Sequence, residues 1–283
     1  MKKQKIIRWL SLLIGLALLL DFFHFQNNSI VTSEYTISSV KVPHNFNGFK
    51  IVQLSDLHSK SFGNDQSDLV NKVKKSQADL ILFTGDLVDS NRYNEESSLI
   101  LMEKLVEIAP VYYVTGNHEW WSGQFNTLED QMKNIGVHVM RNTSEEMTIE
   151  TDSIQIIGMD DPANGKESEE RSKIEENMTK SIEKIKEDDF QILLSHRPEL
   201  LSLYSEYEFD VVFSGHAHGG QFRLPFIGGL IAPDQGLFPK YTSGTYKLDH
   251  TTMIVNRGLG NSIIPLRIFN TPEIVVVTLK TVQ

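Results

Sequence analysis

The chain has 283 residues, 40% of them apolar, and no cysteine. That length can bury one large core, and the lack of thiols excludes disulfides, zinc-thiolate sites, iron-sulfur clusters and thiol catalysis. The formal charge is -10, and the first twenty residues hold Lys2, Lys3, Lys5 and Arg8 with no acid, so the rest carries -10 - 4 = -14, which argues against nucleic acid as a partner.

The N-terminus reads as a basic flank, an apolar core from Leu12 to Leu20 and a mixed aromatic segment ending near Phe25. From Ile6 to Phe25 it is just long enough to span a bilayer as a helix. A secretory signal peptide shares this layout, and the absence of a small-residue cleavage site after Leu20 favours an uncleaved anchor. The excess of Lys and Arg before the span places residues 2–8 in the cytoplasm and the rest outside. The expectation is a single-pass cell-membrane protein with the lipid bilayer as partner and cleaved secretion as the alternative. Residues 1–26 form the anchor, 27–34 a polar linker and 35–283 one folded domain.

Six short apolar runs come next: residues 50–55, 79–84, 111–115, 154–159, 191–195 and 210–214. Their length, β-branched content and turn-like ends predict buried strands. Residues 66–77 and 96–108 space apolar side chains three and four apart, as amphipathic helices do. Strand-helix alternation argues for an α/β fold. Residues 165–189, almost all Glu, Lys and Ser with Ile174, Met178, Ile182 and Ile185 at helical spacing, predict a solvated surface helix, with an active-site lid as the alternative. Residues 222–246 are expected to form a long ordered loop, and residues 273–279 a closing strand.

The turns after the strands are more specific. The first three strand ends run into Asp56 and His58, into Asp86 and Asp89, and into Asn117, His118 and Glu119; two later ones run into His196, and into His216 and His218. Ligands of open α/β sheets bind beyond the carboxyl ends of the strands, so five such turns can converge on one crevice. Asp56 with His58, and His216 with His218, are two residues apart and would point the same way in extended backbone. Gly85, Gly116 and Gly215 each precede a candidate, where the absence of a Cβ permits a sharp turn and close approach. Any one of these turns alone is more often structural. Five in order, holding five of nine histidines, point to a metal site of nitrogen and oxygen donors.

These residues, read as D-x-H, G-D-x-x-D, G-N-H-E, a solitary His and G-H-x-H, resemble the five-motif signature of calcineurin-like metallophosphoesterases. The continuation through residues 258–274 is similar to a membrane-anchored bacterial branch, the YkuE/YaeI-like phosphodiesterases. The resemblance implies a four-layer α/β/β/α sandwich of two mixed sheets and two divalent cations. Manganese is the first expectation, with iron, zinc or magnesium admissible on this donor set. It implies one metal on Asp56, His58, Asp86 and His218 and a second on Asp86, Asn117, His196 and His216, with Asp86 bridging. His118 would protonate the leaving group, and Asp89 would orient it through a hydrogen bond unless it serves as a helix cap. Related protein phosphatases carry an arginine where Ser90 stands, leaving Arg92, Arg197 or Arg223 as substitutes to grip phosphate.

The implied activity is hydrolysis of a phosphodiester or pyrophosphate bond in a lipid or cell-envelope substrate. The apolar stretch Arg223 to Pro233 suggests a substrate at the bilayer surface, unless its side chains pack in the core. One alternative is a hydrolase like the UDP-2,3-diacylglucosamine pyrophosphatases of lipid A synthesis, which would need cytosolic access. Another is a non-catalytic envelope-binding module on the same fold.

Overall fold

The structure is a computed structural model that describes residues 2–164, 170–183, 185–186, 188–261 and 264–282. Helix α1 (Lys2–Asn28) is a long apolar cylinder, exposed along most of its hydrophobic stretch and in contact with the domain through its last turns from Phe22. Ser29 and Ile30 join it to β1 (Val31–Ser39), so the residues expected to form a linker divide between helix end, joint and strand.

The first half continues as β2 (Lys50–Leu54), α2 (Ser67–Ser76), β3 (Leu80–Thr84), α3 (Glu95–Val106), β4 (Val111–Val114), α4 (Asn117–Ser122), α5 (Phe125–Asn134) and β5 (His138–Val139). The second half holds β6 (Thr143–Ile149), β7 (Asp152–Gly158), α6 (Glu170–Ile182), β8 (Gln191–Leu194), α7 (Leu201–Glu206) and β9 (Val211–Ser214). Two small hairpins come after it, β10 (Arg223–Leu224) with β11 (Gly228–Gly229) and β12 (Ile231–Ala232) with β13 (Gly236–Leu237). The chain closes with β14 (Gly244–Leu248), β15 (Thr251–Val255) and β16 (Glu273–Thr281).

These strands make two mixed sheets of six, ordered β1-β16-β2-β3-β4-β5 and β14-β15-β9-β8-β7-β6. Strands β2 to β5 run parallel, as do β7, β8, β9 and β15, so each sheet presents a row of carboxyl ends. Side chains alternate across each strand. Ile51, Leu80, Leu82 and Val277 of one sheet meet Ile156, Ile192, Val211 and Ile254 of the other in a core between the sheets. Val52, Ile81, Phe83 and Tyr113 point outward onto Leu69, Val73, Leu101 and Leu128 of α2, α3 and α5. Leu193, Val212 and Met253 point onto Met178 of α6 and Leu203 of α7. The result is the expected four-layer sandwich. Burial on both faces explains why the strands read as unbroken apolar runs.

The acidic stretch forms α6 over residues 170–182; Ile174 and Met178 are buried on the second sheet. The part over residues 165–169, with 184 and 187, lies outside the described residues. The expected loop after Gln221 is instead the double hairpin. Its Leu224, Phe226, Ile227 and Ile231 are exposed and Leu230 is half-buried, which overturns the alternative of core packing for four of the five apolar side chains.

Candidate metal centre and active site

The carboxyl ends of β2, β3, β4, β8 and β9 deliver Asp56, Asp86, Asn117, His196 and His216 to one place between the two sheets. His58 and His218 lie two residues further along their turns. All seven are buried. The two-apart argument for a shared direction fails in its premise, because the backbone there is not extended. Asp56, His58, Asp86, His216 and His218 all have φ between 45° and 66°. Left-handed backbone at non-glycine residues is uncommon and collects at functional sites, where the surroundings must enforce it.

The glycines act as expected. A Cβ on Gly85 would lie 2.6 Å from His196 Nδ1 and 2.7 Å from the Gly116 backbone, and one on Gly215 would overlap the side chains of Ser55 and Asp56.

Asp86 sits at the centre. Its Oδ2 lies 3.3 Å from His196 Nε2 and 3.5 Å from His58 Nε2, and its Oδ1 accepts the His118 backbone N–H at 2.9 Å. On one side, His58 Nε2 and His218 Nε2 face each other at 3.0 Å, and His218 Nε2 is 3.3 Å from Asp56 Oδ1. On the other, His216 Nδ1 faces His196 Nε2 at 3.1 Å. Of the sets of metal-capable atoms that result, two share Asp86: Asp56, His58, Asp86 and His218, and Asp86, His196 and His216; His58, Asp89 and His118 form a further buried set beside them.

The outer hydrogen bonds determine which ring nitrogens stay bare. His196 Nδ1 donates to the Thr84 carbonyl at 2.7 Å, which leaves Nε2 bare. His216 Nε2 donates to Asp234 Oδ2 at 2.8 Å, which leaves Nδ1 bare. Such partners fix tautomer and ring orientation at metal sites. Asn117 Oδ1 is a buried acceptor with no hydrogen-bond partner among the described residues. Two lone pairs aimed at each other, together with an orphaned amide oxygen, are what a cation between them would satisfy.

The electrostatics agree. Burial favours the neutral form of Asp86, but His196, His58 and His118 around it hold its carboxyl well below the usual range. Burial disfavours a charge on His196 too, and Asp86, Asp56 and Asp161 still push it up to about 10. Burial raises Asp56 and, with His58 and Arg267, drives His218 well below its ordinary value. The pocket demands positive charge, and neutral imidazoles beside ionised carboxylates would receive it from divalent cations.

His118 comes shortly after β4, at the start of α4. Its Nδ1 accepts the Ser90 backbone N–H at 3.1 Å, with Ser90 Oγ at 3.2 Å. This corrects the expected direct bond from Asp89. Asp89 instead accepts the backbone N–H groups of Asn91 and Arg92, pairs with the Arg92 guanidinium at 2.7 Å and lies 3.5 Å from His58 Nδ1. A carboxylate tied into its own turn holds Ser90 against His118, and its charge also acts on the ring directly, across less than 4.8 Å. Burial, opposed by Asp86 and assisted by His58, takes His118 down to about 4.

Of the three candidate arginines, Arg197 is buried on Asp161 and Asp234, and Arg223 donates to the Gly219 carbonyl and Thr242. Arg92, more than half exposed, stands on Asp89 beside the Ser90 turn.

A profile of the family described as calcineurin-like phosphoesterase matches residues 49–220, which is more than half of the chain. The chain is a calcineurin-like metallophosphoesterase.

Among full-length relatives, this metallophosphoesterase is 34% identical to the uncharacterized metallophosphoesterase YkuE of Bacillus subtilis (strain 168) over 91% of the chain and 88% of that protein. It is 30% identical to an uncharacterized metallophosphoesterase of Aquifex aeolicus (strain VF5), over 92% of the chain and 95% of the relative. A zebrafish (Danio rerio) transmembrane protein with metallophosphoesterase domain is 26% identical over 85% of the chain, which spans 55% of that protein. The fold is similar to TT1561 of Thermus thermophilus, with a TM-score of 0.54 at 14% identity, covering 75% of this chain and 91% of that one.

The metallophosphoesterase site also depends on supporting residues, of which the strand-end rule reaches only Glu119. Glu119 is fully buried; its Oε2 accepts the backbone N–H of Asp86 at 2.9 Å and of Gly116 at 2.6 Å, and its Oε1 that of Val88 at 3.1 Å. Gln53 ties the sheets together beneath the cluster by donating to Thr84 Oγ1 and to the Ser214 carbonyl. Arg267, fully buried, donates to the carbonyls of Arg257, Gly260 and Asn270 and so shapes the loop that covers Asp56. Asn270 donates to the carbonyl of His218 at 2.7 Å. Glu119 stood in the G-N-H-E motif, and the rest carried no sequence signal, because a supporting residue is defined by what it touches.

Proposed function

We propose that the chain is a dinuclear metal-dependent hydrolase of phosphodiester or pyrophosphate bonds in a lipid or cell-envelope substrate. It works at the outer face of a membrane that α1 spans. The observation carrying this reading is the pair of buried His/Asp clusters sharing Asp86. Asp56, His58, Asp86 and His218 would hold one cation; Asp86, Asn117, His196 and His216 the other.

When bound, the cations supply Lewis-acid polarisation of the phosphoryl group and acidify water. The side chains do the rest. The backbone N–H of Ser90 can only donate, so Nδ1 of His118 is an acceptor and the neutral ring carries its proton on Nε2. As water attacks phosphorus and the ester P–O bond breaks, the Nε2–H donates a hydrogen bond to the charge developing on the departing oxygen, which is finally protonated through solvent by the proton the attacking water gives up. Asp89 pins the turn that holds Ser90 in place, and so acts as a positioning residue for His118.

The test uses the full chain in detergent, stripped by chelation and resupplied with manganese, iron, zinc or magnesium, with chromogenic phosphomonoester and phosphodiester assayed in parallel. Metal-restored cleavage favouring the diester, reduced about 100-fold or more in His118→Ala, is the expected result. Two metals bound per chain with neither ester cleaved would overturn it in favour of a binding module.

A further inference from the structure

The double hairpin after the last metal ligands exposes large apolar side chains along its whole length. Phe226 and Ile227 form the tip of the first hairpin, and Leu237 and Phe238, at 72% and 70% exposure, flank the second. Soluble surfaces rarely concentrate apolar groups so densely without something to cover them. Residues 222–241 hold Arg223, Lys240 and Asp234 as their charged groups, 2 - 1 = +1 in a domain of -14. This lobe therefore lacks the net negative charge that would repel an anionic bilayer.

The lobe is also joined to the root of α1. The first hairpin is fastened at its base, where the Arg223 backbone N–H donates to the Ile268 carbonyl at 3.0 Å. The next residue, exposed Phe269, packs edge-on against Phe22 of α1 at 5.6 Å between ring centroids. Gln26 accepts the Asn270 backbone N–H, and Asn27 accepts the Arg267 backbone N–H and the Asn261 amide through its side chain and Lys60 through its carbonyl. The helix is thus docked on the domain. The same pieces hold the metal cluster: Asn270 bonds the His218 carbonyl, and Asp234, at the turn of the second hairpin, bonds His216. Trp121, 59% exposed, lies 5.2 Å from His118 between ring centroids. An exposed indole next to a wet site is the residue type favoured at membrane interfaces.

We propose that the hairpins of residues 223–238, with Phe269, seat in the interfacial layer of the bilayer spanned by α1, so that the Asp86 cluster meets phosphate esters presented at headgroup level. This rests on the reading of α1 as a membrane anchor. The docked root of α1 fixes the orientation, and the exposed apolar lobe supplies the second contact, leaving the far end of β1 away from the membrane. Strand β1 carries nine residues, ending at Ser39, away from that root, about 30 Å at the usual rise per residue.

The absence of cysteine permits a clean depth measurement. Single variants Leu16→Cys, Val40→Cys, Phe226→Cys and Phe238→Cys of the full chain are labelled with an environment-sensitive fluorophore and reconstituted into phosphatidylcholine/phosphatidylglycerol vesicles with nitroxide-bearing lipids. All four side chains are exposed, so the fold should tolerate each change. Labels at Leu16, Phe226 and Phe238 should be quenched several-fold more than the label at Val40. Quenching at Leu16 with Phe226 and Phe238 left at the Val40 level would overturn the proposal and keep the anchor. No quenching at Leu16 would overturn the anchor and the proposal with it. Neither result depends on whether the site hydrolyses a diester.

Discussion

Replacing Glu119 by Gln tests how the site is held without touching a proposed ligand. The carboxylate receives three backbone N–H groups: Oε2 those of Asp86 and Gly116, Oε1 that of Val88. A glutamine oxygen can keep the first two, and its NH2 then faces the Val88 N–H. One charge-assisted bond is lost and a buried donor is stranded, together about 3 kcal/mol, while the two surviving bonds fall to neutral strength, about 1 kcal/mol each. Against this, the neutral amide escapes the cost of a buried charge, a cost visible in Glu119 itself, which burial and Asp86 push up to about 7. The net expectation is a loss of about 2–4 kcal/mol near pH 8. Because the N–H bond from Asp86 also keeps that residue at its φ of 52°, the shared ligand should relax. Urea unfolding of the full chain in detergent, paired with metal content per chain, measures both. A stability change under about 0.5 kcal/mol with two metals retained would refute the clamp.

His118→Ala should lower kcat by about 100-fold or more with little change in KM, whereas Ser90→Ala, which keeps the backbone N–H, should lower it less than about threefold; an equal loss in both would place the orienting bond on the hydroxyl. Arg267→Met should cost about 3–5 kcal/mol, because its removal leaves the buried carbonyls of Arg257, Gly260 and Asn270 short of donors. A thermal midpoint within a degree or two of the parent would show that water replaces it.

The predicted strands were legible because burial on both faces removes the polar half of the alternation, as in Leu80 to Phe83, each fully buried. The short or half-exposed strands β5, β6 and β14 were not, since they lack that apolar run. The candidate ligand residues were legible as types at strand ends, and the fold brings them together. Their backbone was not: the spacing of His216 and His218 is the same in an extended turn and in the left-handed one they adopt. Asp234 belongs to a third kind. It lies eighteen residues from His216 in sequence and on a hairpin with no motif, so its contact became visible only with the fold.

The left-handed candidate ligands bear on how metal binding would relate to folding. Asp56, His58, Asp86, His216 and His218 hold a backbone shape that costs each of them on the order of 1 kcal/mol. What holds them there is protein. The Asp56 backbone N–H bonds the Gly85 carbonyl, that of His58 the Asp86 carbonyl, and the carboxylate of Asp56 accepts the His216 N–H. The cluster is therefore assembled by the sandwich, unlike small metal domains that fold only around the ion. Chelation of the full chain should leave far-ultraviolet and near-ultraviolet circular dichroism native-like. It should remove stability by the binding linkage alone, about 4 kcal/mol per site when free metal exceeds its Kd a thousandfold. Collapse of the near-ultraviolet signal on chelation would mean that the cations, and not the two sheets, impose the geometry.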